Sequence, residues 1–408
     1  MNRHKIINDP VYGFIQIPSG ILYDIIQHPI FQRLRRIRQL GFTNLVYPGA
    51  EHTRFQHAIG AFHLMTNAIE VLKQKGVKIT DAETEAAQLA ILLHDIGHGP
   101  YSHSLEGSLL PFHHETITKA ILDHLNVAFN GKLELAIKIF NGVYKKHFLH
   151  ELVSSQLDVD RLDYLNRDRF FTGVYEGVIG YDRILHMLNV HDGHLVVEEK
   201  GIYSIEKFLV ARRLMYWQVY LHKTSLGAES MLILLIKRIR KLQGKSGVEL
   251  NITNSLQKIL ASKANRQEEL KEELLLTFTD IDDADIMAAI KSWREHPDKI
   301  VSYLSKSIYA RNLFKTILGS KDEIDKAYSK IKNELATHSE WTAKEINELV
   351  IKGKAENNAY KTSLKNISIL FKDGRVKDIS KASNDLDIRT LSKTITKHYV
   401  TYPRIKLH

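Results

Sequence analysis

A short segment between residues 80 and 100 constrains the fold most strongly. Thr80 followed by Glu83 forms a capping-box pattern, which predicts a helix that begins just after Thr80. The run AAQLAILLH inside this helix is apolar on nearly every side, and a helix of that kind must be buried. Gly97 and Gly99 end it. The side chains that stand at its end therefore lie deep in the protein.

The end of this helix carries two adjacent polar residues, His94 and Asp95. Aspartate is almost never fully buried unless it is paired or bound to a metal. An internal His–Asp hydrogen-bonded pair would explain these two residues alone. However, His57 lies on a second predicted helix, from about Thr53, that is otherwise dominated by apolar and small residues, and SSQLDVDRLDYLNRD supplies four further aspartates. Imidazole and carboxylate together suit iron, manganese, zinc or nickel better than an all-oxygen calcium or magnesium cage.

The complete absence of cysteine excludes disulfides, thiolate metal sites and thiol nucleophiles. It also fits a reducing compartment. The first ten residues lack the apolar segment of a signal peptide, and no later stretch is apolar enough to span a membrane. We therefore expect a cytoplasmic protein without membrane contact.

The pattern of the whole chain predicts a mainly α-helical protein. Hydrophobic residues make up 44% of its 408 residues and charged residues 25%, an ordinary globular mixture with room for two domains. Residues 187–206 interrupt the helices with a predicted β-hairpin around an Asp-Gly turn, which we expect to be an insertion at the surface. We predict a helical core over residues 1–240 and a separate, mostly helical C-terminal lobe with a few strands over residues 241–408, for oligomerisation or regulation.

Positive charge is concentrated near the C-terminus. The formal net charge is +10, and residues 351–408 contain 13 Lys or Arg against 5 Asp or Glu. A solvated basic surface explains this surplus as well as contact with polyanions does, whether nucleotide phosphates or nucleic acid. Charge alone does not distinguish between these two explanations.

Five separated motifs occur in order: INDPVYG, FQRLRRIRQLG, YPGAEHTRFQH, HDIGHGPYSH and LDVDRLDYLNRD. The series His57, His94-Asp95 and Asp160 resembles the HD superfamily of phosphohydrolases. The five motifs resemble its deoxynucleoside triphosphate triphosphohydrolase branch, which includes bacterial dGTPases and the mammalian sterile-alpha-motif-and-HD enzyme. The resemblance covers roughly residues 5–240. It implies an HD-domain helical core, hydrolysis of dNTPs at the α-phosphorus to deoxynucleoside and inorganic triphosphate, and a homo-oligomer, either dimer or tetramer.

The resemblance also assigns the metal and catalytic residues. It implies one transition-metal ion per chain (Fe, Mn, Zn, Ni or Co), with Mg²⁺ accompanying the substrate triphosphate. His103 is the candidate for protonating the 5′-oxygen leaving group, because an imidazole with a pKa near ~6.5 suits that task. The metal ligands would be His57, His94, Asp95 and Asp160, and the catalytic residues near the α-phosphate would be His98, His103, His114 and, where an aspartate is usual, Glu106.

Eight positions match residues that bind substrate in this branch. Three arginines, Arg54, Arg161 and Arg212, would bind the triphosphate. Arg161 stands where a lysine is expected, so a planar fork replaces a point charge. The other positions are Tyr164 at the phosphates, Gln39 and Asp168 at the sugar 3′-hydroxyl, and Leu40 and Tyr220 beneath C2′, where they would exclude a ribose.

Members of this branch can be activated by nucleotides that bind between subunits. Gln27 stands where an acidic, guanine-reading residue is expected, which argues against control by GTP. The positions that match this second nucleotide site are Lys5, Asn8, Gln32, Arg33 and Arg35.

Three other functions remain open at this point. A phosphomonoesterase or phosphodiesterase that acts on other nucleotides or on nucleic-acid ends would use the same ligands. A cyclic-dinucleotide phosphodiesterase fits less well, because no GYP-type extension follows the HD pair. A catalytically silent nucleotide-binding module is disfavoured, since such a site is expected to have lost a ligand and all four are present.

Overall fold

The computed structural model describes residues 5–243, 250–265, 270–357, 359–360, 366–383 and 387–404, apart from the side chains of His103 and Arg389. The protein is mainly helical with a few short strands, which confirms the fold class predicted from the sequence. The elements of the first 243 residues are β1 (Lys5–Asp9), β2 (Gly13–Ile17), α1 (Ile21–Gln27), α2 (Pro29–Gln32), α3 (Arg54–Gln74), α4 (Asp81–Leu93), α5 (Ser102–Leu105), α6 (His114–Ala128), α7 (Glu134–Phe140), α8 (His147–Val153), α9 (Val159–Thr172), α10 (Tyr181–Met187), β3 (Leu188–His191), β4 (His194–Glu198), α11 (Ile202–Met215) and α12 (Lys223–Gln243).

The remaining described residues form a mostly helical segment with two groups of strands. Its elements are α13 (Asn254–Ala261), α14 (Glu272–Asp280), α15 (Asp283–Ser292), α16 (Lys299–Tyr309), β5 (Lys315–Gly319), α17 (Lys321–His338), α18 (Ala343–Leu349), β6 (Ile351–Asn357), β7 (Ser368–Leu370), β8 (Val376–Asp378), α19 (Ile379–Ala382), α20 (Ile388–Ser392) and β9 (Ile395–Tyr402). Short 3-10 turns cover Arg33–Arg36, Gly41–Leu45, Tyr175–Gly177, Glu199–Gly201 and Trp293–Glu295, and a π-helical turn covers Tyr216–Tyr220.

Helix α4 is the buried helix that the sequence predicts. The Thr80 hydroxyl accepts a hydrogen bond from the Glu83 backbone N–H at 3.2 Å, and the Glu83 carboxylate accepts one from the Thr80 N–H at 2.8 Å, so the capping box is complete. Apolar side chains on every side of its second half are buried. The helix ends at Leu93, so the His94-Asp95 pair begins the turn that follows it.

Gly97 allows that turn to pack directly against α6. A Cβ atom at this position would lie 2.4 Å from the His114 carbonyl oxygen and 2.4 Å from the Thr118 backbone nitrogen. No side chain larger than hydrogen fits there without displacing α6. The glycine thereby sets how close His114, at the start of α6, comes to the end of α4.

The predicted hairpin is present, but it is not an isolated insertion. Asp192 and Gly193 both have positive φ angles (50° and 78°), as expected for a two-residue hairpin turn between β3 and β4. Strand β4 then pairs in parallel with β7, Val197 opposite Ile369, to give a sheet in the order β3-β4-β7-β8. Helix α11 already begins at Ile202, where the sequence still suggested extended structure. The parallel pairing joins segments far apart in the chain, so no local pattern announces it.

Both predicted domains contribute to one hydrophobic core. A continuous cluster of buried apolar side chains extends from Ile15 to Leu391, and α12 runs across the predicted boundary at residue 240. The strands β1 and β2 form a two-stranded sheet, and β5 and β6 both pair antiparallel with β9 in a three-stranded sheet, the C-terminal sheet. The division at residues 240/241 stays a prediction. Within the described residues, no helix is long and apolar enough to cross a membrane.

Candidate metal centre and substrate cavity

Two histidines and an aspartate approach one another from three helices. His57 lies in the first turn of α3, His94 follows α4, and Asp160 lies in the first turn of α9. The His57 Nε2 atom is 3.3 Å from His94 Nε2 and 3.1 Å from Asp160 Oδ1, and His94 Nε2 is 3.3 Å from the same oxygen. Their donor atoms lie within 4.8 Å of one another, close enough to bind one metal ion.

Hydrogen bonds at the far side of each imidazole orient both histidines toward this cluster. The His57 Nδ1 atom lies 2.7 Å from the Asp163 carboxylate, and the His94 Nδ1 atom lies 2.6 Å from the Ile91 carbonyl oxygen. Carbonyl and carboxylate oxygens can only accept, so each Nδ1 carries a proton, and in the neutral imidazole the Nε2 lone pair faces the cluster. This is the arrangement that metal-binding histidines need.

The cluster has an excess of negative charge that a cation would balance. Burial lowers the pKa of His57, yet hydrogen bonds to Asp160 and Asp163 raise it to about 10. Burial likewise raises the pKa of Asp160, but His94 and His57 bring it well below its usual range. A metal ion would supply the positive charge without protonating the imidazoles, so the donor set fits the predicted transition metal.

Asp95, the fourth predicted ligand, lies at the edge of this group. Its Oδ1 atom is 3.3 Å from His94 Nε2 and 3.3 Å from His98 Nε2, and its Oδ2 atom is 3.7 Å from His57 Nε2. Arg54 also donates to Oδ2 at 2.5 Å. The four predicted ligands therefore meet at one place, and three of them form the tightest group.

A buried chain of ion pairs, which was not predicted from the sequence, supports the cluster on the side of His57. Asp163 receives two hydrogen bonds from Arg167, each of 3.0 Å, in addition to its contact with His57. Arg167 also donates to Asp9, at the end of β1, at 2.8 Å. A Cβ atom at Gly60 would lie 2.1 Å from both Asp163 and Arg167, so a glycine is required where α3 crosses this pair. The spacing of Asp163 and Arg167, four residues apart, was the available signal.

Three predicted catalytic residues form a connected group beside Asp95. The rings of His98 and His114 are stacked, with centroids 4.0 Å apart. The Glu106 carboxylate accepts two hydrogen bonds from His114, one from the backbone N–H and one from Nδ1, both at 2.9 Å. Burial alone would raise the pKa of the Glu106 carboxyl, but these hydrogen bonds lower it to about 2, so the carboxylate stays ionised. The His103 side chain lies outside the described residues.

A cavity of about 420 Å³ opens beside the metal cluster. Leu226 and Glu229 of α12, neither predicted as a site residue, contribute to its wall. The predicted residues that line it are Gln39, Leu40, Arg54, Asp95, His98, His114, Asp160, Tyr164, Asp168 and Tyr220.

One end of the cavity is formed by a hydrogen-bonded pair predicted to contact the sugar. The Tyr220 hydroxyl donates to Asp168 at 2.7 Å, from the π-helical turn that follows α11. His52 Nε2 lies 2.6 Å from the other oxygen of Asp168, and its ring stacks on Phe171. His52 is part of the motif YPGAEHTRFQH, although it was not predicted as a site residue.

The three predicted phosphate-binding arginines are buried or partly buried, and of the three only Arg54 is among the described residues that line the cavity. Arg54 lines it and donates to Ser102 at 2.6 Å, and Arg161 is paired with Asp158. Buried N–H groups without an acceptor among the described residues remain on all three: Nε of Arg54 and of Arg161, and both Nε and Nη1 of Arg212. Unsatisfied buried donors are costly, and an anionic ligand would satisfy those at this site.

Arg33 differs from its expected role in a second nucleotide site. Its side chain is 1% exposed and donates to four backbone carbonyls, including those of Ile96 and His98 in the turn after the HD pair. Arg33 therefore stabilises that turn and does not face solvent. Lys5, Asn8 and Arg35 are exposed, and Gln32, partly exposed, accepts a hydrogen bond from Arg35.

The chain is similar to known proteins over most of its length. The HD domain family model matches residues 54–168, and the HD associated region matches residues 179–274. The uncharacterized protein YwfO of Bacillus subtilis is 31% identical over 335 residues, covering 80% of this chain and 75% of that protein. The deoxynucleoside triphosphate triphosphohydrolase SAMHD1 homolog of Dictyostelium discoideum is 33% identical over 248 residues, covering 56% of this chain and 48% of that protein.

A solved structure extends the similarity over nearly the whole chain. The crystal structure of a phosphohydrolase from Bacteroides thetaiotaomicron is 50% identical, with a TM-score of 0.92, and the match covers 98% of this chain and 100% of that one. The chain spans about half the length of the triphosphohydrolase relative from Dictyostelium. Family models, relatives and fold agree with the histidine and aspartate cluster, and the chain therefore belongs to the HD-domain phosphohydrolase superfamily, with relatives in its deoxynucleoside triphosphate triphosphohydrolase branch.

Proposed function

We propose that this protein hydrolyses deoxynucleoside triphosphates to deoxynucleoside and inorganic triphosphate. The observation that carries the proposal is one cavity of about 420 Å³ that joins the carboxylates of the metal cluster to the Tyr220–Asp168 pair. Its volume falls in the range of small-molecule sites, about 300–1,000 Å³. The relative from Dictyostelium, which is named a deoxynucleoside triphosphate triphosphohydrolase, supports the same substrate class.

The residues around the cluster suit cleavage at the α-phosphorus. When bound, the transition metal neutralises charge on the phosphate oxygens and activates water for attack. Arg54, fixed by Asp95 and Ser102, would hold the triphosphate, together with the unpaired N–H groups of Arg161 and Arg212. We assign proton transfer to the 5′-oxygen to His103, and the connected group of His98, Glu106 and His114 would support the reaction near the α-phosphate.

The sugar end of the cavity gives a test by mutation. In this proposal the Tyr220 ring lies beneath C2′ of the bound sugar, so the wild type is expected to cleave dGTP far faster than GTP. Tyr220→Ala removes the ring, and the ratio of the two kcat/KM values should narrow at least about tenfold. Tyr220→Phe is the matched control, because it removes only the hydroxyl that donates to Asp168 and should keep the discrimination. Equal rates on both sugars in the wild type would favour a general nucleotidase.

A second nucleotide site and assembly into a dimer or tetramer belong to the same proposal. Lys5 and Asn8 are exposed on β1, and Arg35 is exposed after α2, with its guanidinium 3.6 Å from the centre of the Phe55 ring. The exposed positive charges of Lys5 and Arg35 are suited to nucleotide phosphates. Arg33 is left out of this second site, because both of its Nη groups already donate to backbone carbonyls.

A further inference from the structure

One wall of the cavity comes from α12, a helix that carries none of the predicted site residues. Leu226 and Glu229 are three positions apart, so they lie on the same face of α12, and both line the cavity. The other side of α12 faces the C-terminal sheet of β5, β9 and β6. A Cβ atom at Gly227 would lie 2.9 Å from the Phe314 carbonyl oxygen and 2.9 Å from the Thr316 hydroxyl, so α12 packs directly on β5.

This packing fixes the position of Glu229. Ala228 and Met231, on either side of it along α12, are fully buried. Burial raises the pKa of Tyr399 on β9, and the nearby Glu229 charge raises it further. The C-terminal sheet thus packs on one side of α12, while the opposite side of the helix contributes to the cavity. Because the helix is held in this way, the backbone of Glu229 is fixed beside the cavity, which favours binding of a ligand group.

The Glu229 carboxyl has no partner of its own among the described residues. No hydrogen bond or cation stabilises its charged form, and burial alone raises its pKa to about 7. A carboxylate that lacks donors in such a place is costly, whereas donors brought by a ligand would offset that cost. Glu229 therefore has the properties of a binding group whose partner arrives with the substrate.

The wall formed by α12 is available for the nucleobase. This inference rests on the proposed function, in which the metal cluster and Arg54 bind the phosphates and Asp168 with Tyr220 binds the sugar. We propose that Glu229 reads the nucleobase by accepting hydrogen bonds from two adjacent N–H groups, with Leu226 packed on the ring. Among the four DNA bases, guanine offers two adjacent donors, N1–H and the 2-amino group, whereas adenine and cytosine flank their amino group with an acceptor and thymine flanks its N–H with two carbonyls.

The wild type provides the first measurement. Deoxyinosine triphosphate differs from dGTP only in lacking the 2-amino group, so it loses one of the two hydrogen bonds. A hydrogen bond to a charged group commonly changes affinity by ~10–100-fold, and kcat/KM for dGTP should exceed that for dITP by about tenfold or more. Equal kcat/KM values for dGTP and dITP in the wild type would overturn the assignment without any variant.

Glu229→Gln gives the second measurement, because an amide keeps one acceptor and gains one donor. It should lower kcat/KM on dGTP by ~10–100-fold and leave dATP unchanged or improved, since adenine presents a donor beside an acceptor. Glu85→Gln, on the exposed side of α4, is the matched control and should change neither substrate. An equal loss on dGTP, dITP and dATP would mean that Glu229 only supports the cavity, and would overturn the proposal.

Calorimetric binding of deoxyguanosine and deoxyinosine separates this proposal from the proposed function. These nucleosides need no hydrolysis, and the wild type should bind deoxyguanosine more tightly, with the difference lost in Glu229→Gln. An unchanged ratio in the variant would overturn the role of Glu229 even if dNTPs are hydrolysed. Failure of the wild type to release triphosphate from any dNTP would contradict the proposed function, while the nucleoside ratio would still decide the role of Glu229.

Discussion

Replacement of both His94 and Asp95 by alanine is expected to leave the protein without its metal and without measurable hydrolysis. The two residues follow the buried helix α4 directly, and each has a side-chain atom 3.3 Å from another member of the cluster. The purified wild type should contain about one transition-metal ion per chain, and the double variant close to none. Elemental analysis of both proteins measures this directly.

Folding must be checked alongside, because removal of Asp95 leaves Arg54 without its charge partner. Circular dichroism and thermal unfolding serve this purpose. His147→Ala, at an exposed position on α8, is the matched control and should keep both metal and activity. Equal metal content in the folded double variant and in the wild type would refute the proposed metal site.

Asp163→Asn is expected to weaken metal binding, although Asp163 is not one of the four predicted ligands. The substitution removes the negative charge that holds the His57 Nδ1 proton and neutralises Arg167. Partners behind metal ligands commonly contribute ~10–100-fold in metal affinity, and breaking a buried ion pair costs about 3–5 kcal/mol of stability. We therefore expect both a weaker metal affinity and a lower free energy of unfolding.

Competition with a chelator gives the metal affinity, and denaturant unfolding gives the stability. Asp182→Asn, at an exposed position on α10, carries the same chemical change outside the site and should affect neither. A variant that is less stable but binds metal as tightly as the wild type would show that the Asp9–Arg167–Asp163 chain serves the fold alone.

Local patterns were sufficient for the parts of the site that lie within single elements. The capping box of Thr80 and Glu83 and the apolar sequence that follows predicted both the start and the burial of α4. A histidine on a nearly apolar helix, such as His57, stands out for the same reason. These signals are local because helix periodicity and capping are local.

Contacts between distant segments could not be predicted from those patterns. The parallel pairing of β4 with β7 and the four carbonyl contacts of Arg33 join parts of the chain far apart in sequence. Glu229 was missed for the same reason. On the sequence it is one more polar residue of an amphipathic helix, and only the packing of α12 on β5 reveals that it faces the cavity.

Identification of the products from dGTP tests the central claim most directly. Purified protein loaded with manganese or iron would be incubated with dGTP, and the products would be separated by chromatography. Cleavage at the α-phosphorus predicts deoxyguanosine and intact inorganic triphosphate in equal amounts, with neither product in the His94/Asp95 double variant. Release of orthophosphate or pyrophosphate, leaving dGDP or dGMP, would contradict the account and would assign this HD site to another phosphatase reaction.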